Sequence, residues 1–130
     1  MELACAQLLL SVSDIDKSRE FYIGKLQMPV VEDHPKMFAF RAGDVRFSVF
    51  GGGKRHTSEE ASAAHLKVMF RTEDLDATVA RLKERGVVFA GEIEEAPGFM
   101  RHIELVDPDN NFIFLAQYVR DPLKPAPKKA

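Results

Sequence analysis

The sequence predicts an α+β fold in which two βαβββ modules form curved mixed sheets around a cavity. Three observations predict it. The segments QLLLSVSDIDKSREFY and HLKVMFRTEDLDATVARL repeat one plan, a strand followed by an acidic helix cap. Each is followed by apolar runs broken by turn residues, so the order reads βαβββ twice. Between the repeats lies GGGKRHTSEEASA, which has linker composition. One helix per module covers one face of a sheet. The other face stays free, and two such faces can close on a cavity.

In the first module, residues 4–12 read as a strand with Leu8, Leu10 and Val12 on one side and Cys5, Gln7, Leu9 and Ser11 on the other. Ser13 and Asp14 suit a helix cap, and Asp16 suits the positive end of the helix dipole. The helix is expected to run to about Ile23 and stop at Gly24. Its inner stripe is Ile15, Arg19, Tyr22 and Leu26, widened by Phe21. A short strand follows at Val30-Val31, then a turn at Pro35. A hairpin joins Met37–Arg41 to Val45–Phe50 around Ala42-Gly43-Asp44.

In the second module, residues 65–71 read as a strand with Leu66, Val68 and Phe70 inward and His65, Lys67 and Met69 opposite. Asp74 caps a helix through Arg85 that buries Leu75, Val79 and Leu82 and ends at Gly86. A strand is expected at Val87–Ala90. Pro97-Gly98 turns the chain into a last hairpin, Phe99–Val106 and Asn111–Tyr118, around Asp107-Pro108-Asp109-Asn110-Asn111.

The chain has 130 residues, 45% of them hydrophobic and 29% charged, with a net charge of −2. This suits one compact domain over residues 1–118, with modules at about 4–50 and 64–118, a linker at 51–63 and a flexible Pro/Lys-rich tail at 119–130. The charge balance gives no pull toward nucleic acid or an anionic membrane. The apolar runs are too short to span a bilayer, and MELACAQ lacks signal-peptide features, so a cytoplasmic setting is expected. Cys5 is the single cysteine, so no internal disulfide is available. Gly51-Gly52-Gly53-Lys54 lacks the spacer of a phosphate loop. Asp107, Asp109 and Asn111 alternate as in a calcium loop, but Phe112 stands where its glycine belongs and Tyr118 where its closing glutamate belongs.

Five sets of residues carry a family resemblance. They are Gln7 with Leu-Leu-Leu-Ser-Val-Ser-Asp14, then Ser18-Arg19-Glu20-Phe21-Tyr22 and Leu26. The second half adds His65-Leu66-Lys67-Val68, Asp74-Leu75-Asp76 and Asp107–Asn111 leading to Leu115. In order and spacing, over residues 4–118, the chain resembles the vicinal oxygen chelate superfamily of glyoxalase I, bleomycin-resistance proteins and extradiol dioxygenases. The resemblance implies a glyoxalase-like fold and a homodimer. It also implies that metal-using relatives hold a divalent ion on the first and last strands of each module. Carried over, those positions are Gln7, Ser48, His65 and Phe114. Phe114 and Ser48 stand where carboxylates are usual, so the site is expected to be degenerate.

On this register the open faces offer Gln7, Leu9, Ser11, Arg46, Ser48, Phe50, His65, Lys67, Met69, Phe112 and Phe114. Phe50, Phe112 and Phe114 suit a planar ligand, and Arg46 and Lys67 suit an anion. The favoured reading is a metal-independent small-molecule binding protein of resistance or sequestration type, without cofactor. The alternative is a metal-dependent lyase, isomerase or dioxygenase (Zn, Ni, Fe, Mn or Mg) with a rearranged site around His65. His102, Glu104 and Cys5 are the candidates for such a displaced site, and Cys5 is otherwise a small buried hydrophobe. His65 is also the best candidate for acid–base catalysis without metal.

Overall fold

A computed structural model describes residues 2–64 and 66–127 of the chain. In chain order its elements are β1 (Gln7–Ser11), α1 (Ile15–Arg19), β2 (Val30–His34), β3 (Met37–Ala42), β4 (Val45–Phe50) and α2 (Ser58–Ser62). The second repeat continues with β5 (Val68–Arg71), α3 (Leu75–Glu84), β6 (Glu94–Ala96), β7 (Met100–Val106) and β8 (Phe112–Tyr118). The expected α+β class and the doubled βαβββ order are both present. The strands form two four-stranded mixed sheets, ordered β1-β4-β3-β2 and β5-β8-β7-β6. In each, the first strand of the repeat pairs in parallel with the last.

The described residues divide into two compact units. One holds residues up to 65 together with 106–112, and the other holds 66–105 and 113 onward.

In the first unit, the Asp14 carboxylate accepts from the backbone amides of Asp16 and Lys17 and starts α1 as expected. The helix does not stop at Gly24. It continues as a π-helical segment over Glu20–Lys25, in which the Leu26 amide donates to the Phe21 carbonyl at 2.9 Å. A π coil turns less per residue, so the adjacent Phe21 and Tyr22 are both buried. The left-handed residue that ends the run is Gln27, at φ 54°. Tyr22 stacks on Phe40 at 5.2 Å, and Phe40 stacks on Phe47 at 4.9 Å, so helix and sheet share an aromatic core.

The expected linker contains a helix. Thr57 and Glu60 form a reciprocal capping box that starts α2. Cys5 is exposed rather than buried, because β1 begins only at Gln7 and Cys5 lies ahead of it.

In the second unit, Asp74 caps α3, and Leu75, Val79 and Leu82 are buried as expected. Gly86 takes φ 82° just past the helix. Strand β5 starts at Val68, so Leu66 lies outside it and is 78% exposed. The strand expected at Val87–Ala90 reduces to one bridge, Phe89 to Leu105. Its place on the sheet edge is taken by Glu94–Ala96, which pairs antiparallel with β7. No helix among the described residues is long and apolar enough to cross a membrane.

Candidate functional site

The sheet of the first unit has one face against α1 and one face free of it. Period-two alternation puts Phe38, Phe40, Phe47 and Val49 on the α1 side, all buried. The register then sets the opposite face out in rows across the strands. Gln7, Arg46 and Arg41 form the first row, and Leu9, Ser48, Ala39 and Glu32 the second. Ser11, Phe50, Met37 and His34 form the third. Gln7, Leu9, Ser11, Arg46, Ser48 and Phe50 therefore share one face, as the sequence predicts. Leu9 is 69% exposed and Phe50 41%, whereas Ser48 in the middle row is 1% exposed.

A polar chain crosses this face. The Arg46 Nε donates to Ser48 Oγ at 2.8 Å, and Ser48 Oγ donates to Gln7 Oε1 at 2.9 Å. Arg46 Nη1 reaches Glu32 Oε1 at 3.3 Å, and His34 Nε2 lies 3.5 Å from Glu32 Oε2. The hydrogen bond from Arg46, then its charge, hold the Glu32 carboxyl below the usual carboxylate range, and His34 adds to this. Sequence reasoning missed Glu32, His34, Met37, Ala39 and Arg41 as members of the face. The hairpin register gives the last three. A bulge between Val30 and Glu32 shifts the phase and hides the first two.

The second unit gathers a different group. Met69 pairs in register with Phe114, and the Tyr118 hydroxyl donates to the Met69 sulfur at 3.1 Å. The His102 ring lies 6.2 Å from the Phe114 ring. Its Nδ1 is buried and has no partner among the described residues. Strand β7 runs between β6 and β8, so His102 and Glu104 lie on an interior strand and are half-buried. Lys67 precedes β5 and is exposed, whereas Phe112, which opens β8 and is half-buried, falls in the first unit. His65 lies outside the described residues.

A separate groove of about 470 Å³ runs along α1, lined by Asp14, Lys17, Glu20, Lys25 and Pro108 among others. It shares no residue with either sheet face and is of mixed charge.

The comparisons with known proteins agree with this architecture. The model of the Glyoxalase/Bleomycin resistance protein/Dioxygenase superfamily matches residues 4–115. Uncharacterized protein YraH of Bacillus subtilis (strain 168) is 28% identical over 119 residues, covering 82% of this chain and 92% of its own. TnmS3, an antibiotic binding protein from Streptomyces sp. CB03234, superposes with a TM-score of 0.68 at 25% identity, over 90% of this chain and 97% of that one. A glyoxalase/bleomycin resistance protein/dioxygenase from Alicyclobacillus acidocaldarius superposes with a TM-score of 0.71 at 20% identity, over 91% and 93%. This last likeness is one of fold alone.

Proposed function

The chain belongs to the Glyoxalase/Bleomycin resistance protein/Dioxygenase superfamily, and from that premise we propose that it is a metal-independent small-molecule binding protein of the resistance or sequestration type. One observation carries the reading. The Arg46 guanidinium is fixed 2.8 Å from Ser48 Oγ, which is itself bonded to Gln7. Gln7 and Ser48 are the first-module positions at which a metal-using relative supplies ligands. A permanent cation beside them opposes a divalent ion, and both oxygens are already engaged. Phe114 brings no donor atom to the fourth position. The donor set does not fit the metal, and no reaction step follows from it.

The same residues suit binding. Phe50 and Leu9 offer exposed apolar surface beside a fixed cation, and Phe114 and Met69 offer an aromatic and thioether patch. The antibiotic-binding relative shows that this fold serves as a binder elsewhere in the superfamily. With this reading go the homodimer that the superfamily resemblance implies and the cytoplasmic setting expected from the sequence.

The test is elemental analysis of untagged protein after incubation with Fe²⁺, Zn²⁺, Ni²⁺, Mn²⁺ and Mg²⁺ and desalting. The expected result is no stoichiometric retention. Near-stoichiometric metal that is lost in His65→Ala overturns the reading and points to lyase, isomerase or dioxygenase chemistry.

A further inference from the structure

We infer that the binding face of the first unit takes an aryl carboxylate, and that Glu32 is a built-in competitor which the ligand carboxylate displaces from Arg46. The inference rests on the binding reading above and names its ligand class.

Arg46 and Arg41 face each other across β4 and β3 in register. Like charges directly opposite on neighbouring strands repel, at a Cβ separation of about 5 Å. Glu32 is the one carboxylate bonded to this pair among the described residues, and its contact is long at 3.3 Å. Among the described residues Arg46 Nη2 makes no bond and Arg41 makes no ion pair. The face thus carries more fixed positive charge than its own acid neutralises. The Ser48 bond fixes the guanidinium plane in advance, so an incoming carboxylate meets an oriented donor edge.

The length of the ligand follows from the rows. Nε reaches from the first row to Ser48 in the second, so the charge lies one row from Phe50. Adjacent rows on one face are two residues apart, about 7 Å. A fused two-ring acid spans that distance, with its ring on Phe50 and Met37 and its carboxylate at Arg46. Between them Ala39 and Ser48 are themselves buried, at 0% and 1% exposure, so the ligand lies on the side chains around them. The Glu32 carboxylate is exchanged for another carboxylate. His34, within 3.5 Å, is placed to hold Glu32 once it is released.

The experiment is calorimetric titration of the full chain with 2-naphthoate and with its neutral isostere 2-naphthamide, at fixed ionic strength. Wild type is expected to prefer naphthoate by about tenfold, the worth of one charge-assisted hydrogen bond. Glu32→Gln, a change at an exposed position, is expected to widen that preference about three- to fivefold by removing the competitor. Arg46→Met is expected to erase it. Equal binding of both probes in wild type overturns the anion site while leaving the binding function standing. An unchanged or narrowed preference in Glu32→Gln overturns the role of Glu32. Binding of neither probe overturns the ligand class, and metal retention in the elemental analysis removes the underlying function instead.

Discussion

The Tyr22 hydroxyl donates to Asp107 Oδ2 at 2.7 Å, joining two residues 85 positions apart in the sequence. The same carboxylate accepts from the backbone amides of Asp109 and Asn111 and from the Asn111 side chain. Pro108 and Asp107 thus shape the turn from within, and the turn is tied to the π-helical segment through one buried phenol. Burial first, and the adjacent Asp107 second, push the Tyr22 phenol well above its ordinary value of 10.0.

That shift has a sign. Below pH 10.0 the phenol is protonated in both folded and unfolded chains, so the stability it contributes is fully present. Above it the unfolded chain releases a proton that the folded chain keeps, so stability falls as pH rises, by at most about 1.4 kcal/mol per pH unit. Tyr22→Phe is expected to lose about 1–3 kcal/mol at neutral pH, and the gap to wild type is expected to narrow above pH 10.0. Urea denaturation at a series of pH values checks this. A constant gap would mean the phenol titrates normally.

Gly53 is a close-approach glycine. A Cβ there would lie 2.8 Å from the Ser11 carbonyl carbon and 2.9 Å from its oxygen, both backbone atoms that cannot move aside cheaply. The Gly53 amide also donates to the Val12 carbonyl at 3.0 Å, extending the pairing of β1 and β4. Gly53→Ala is expected to destabilise by about 1–3 kcal/mol. Gly51→Ala, which meets nothing within 4 Å, is expected to stay within about 0.5 kcal/mol. Thermal denaturation of the two variants side by side decides it, and equal midpoints would show that the chain relaxes around the added methyl.

Asp109 is buried and accepts from both the amide of Ser13, at 3.0 Å, and its hydroxyl, at 2.5 Å. Asp109→Ala removes both acceptors and strands the Ser13 amide, at a cost of about 2–4 kcal/mol. Asp109→Asn keeps one acceptor and is expected to lose roughly half as much. Denaturant midpoints rank the three proteins, and an alanine variant as stable as the asparagine one would show that water replaces the carboxylate.

Local chemistry made the helix starts legible. Asp14 and Asp74 can each cap because a short carboxylate reaches the free amides of a first turn, and both do so. The inner stripe of α3 was legible for the same reason, since Leu75, Val79 and Leu82 follow the helical period. Gly24 misled because a glycine stops a helix only where nothing rewards continuing. Here burial of Phe21 and Tyr22 together does, through a wider coil that no local rule signals. Val87–Ala90 has strong strand propensity, yet pairing with β7 selected the acidic Glu94–Ala96, so partner geometry outweighed propensity. Within the face, Gln7, Arg46 and Ser48 could be placed by alternation alone. Glu32 could not, because the bulge breaks the count before it.

The membership of residues 106–112 in the first unit bears on how the protein is born. A ribosome releases the first repeat, β1 to β4, long before it makes Asp107. Until then the Tyr22 hydroxyl and the Ser13 amide lack the carboxylates that receive them. The amino-terminal half therefore emerges with its strands encoded but its polar interior incomplete. It reaches its final form only when the later turn that carries Asp107 and Asp109 has been translated.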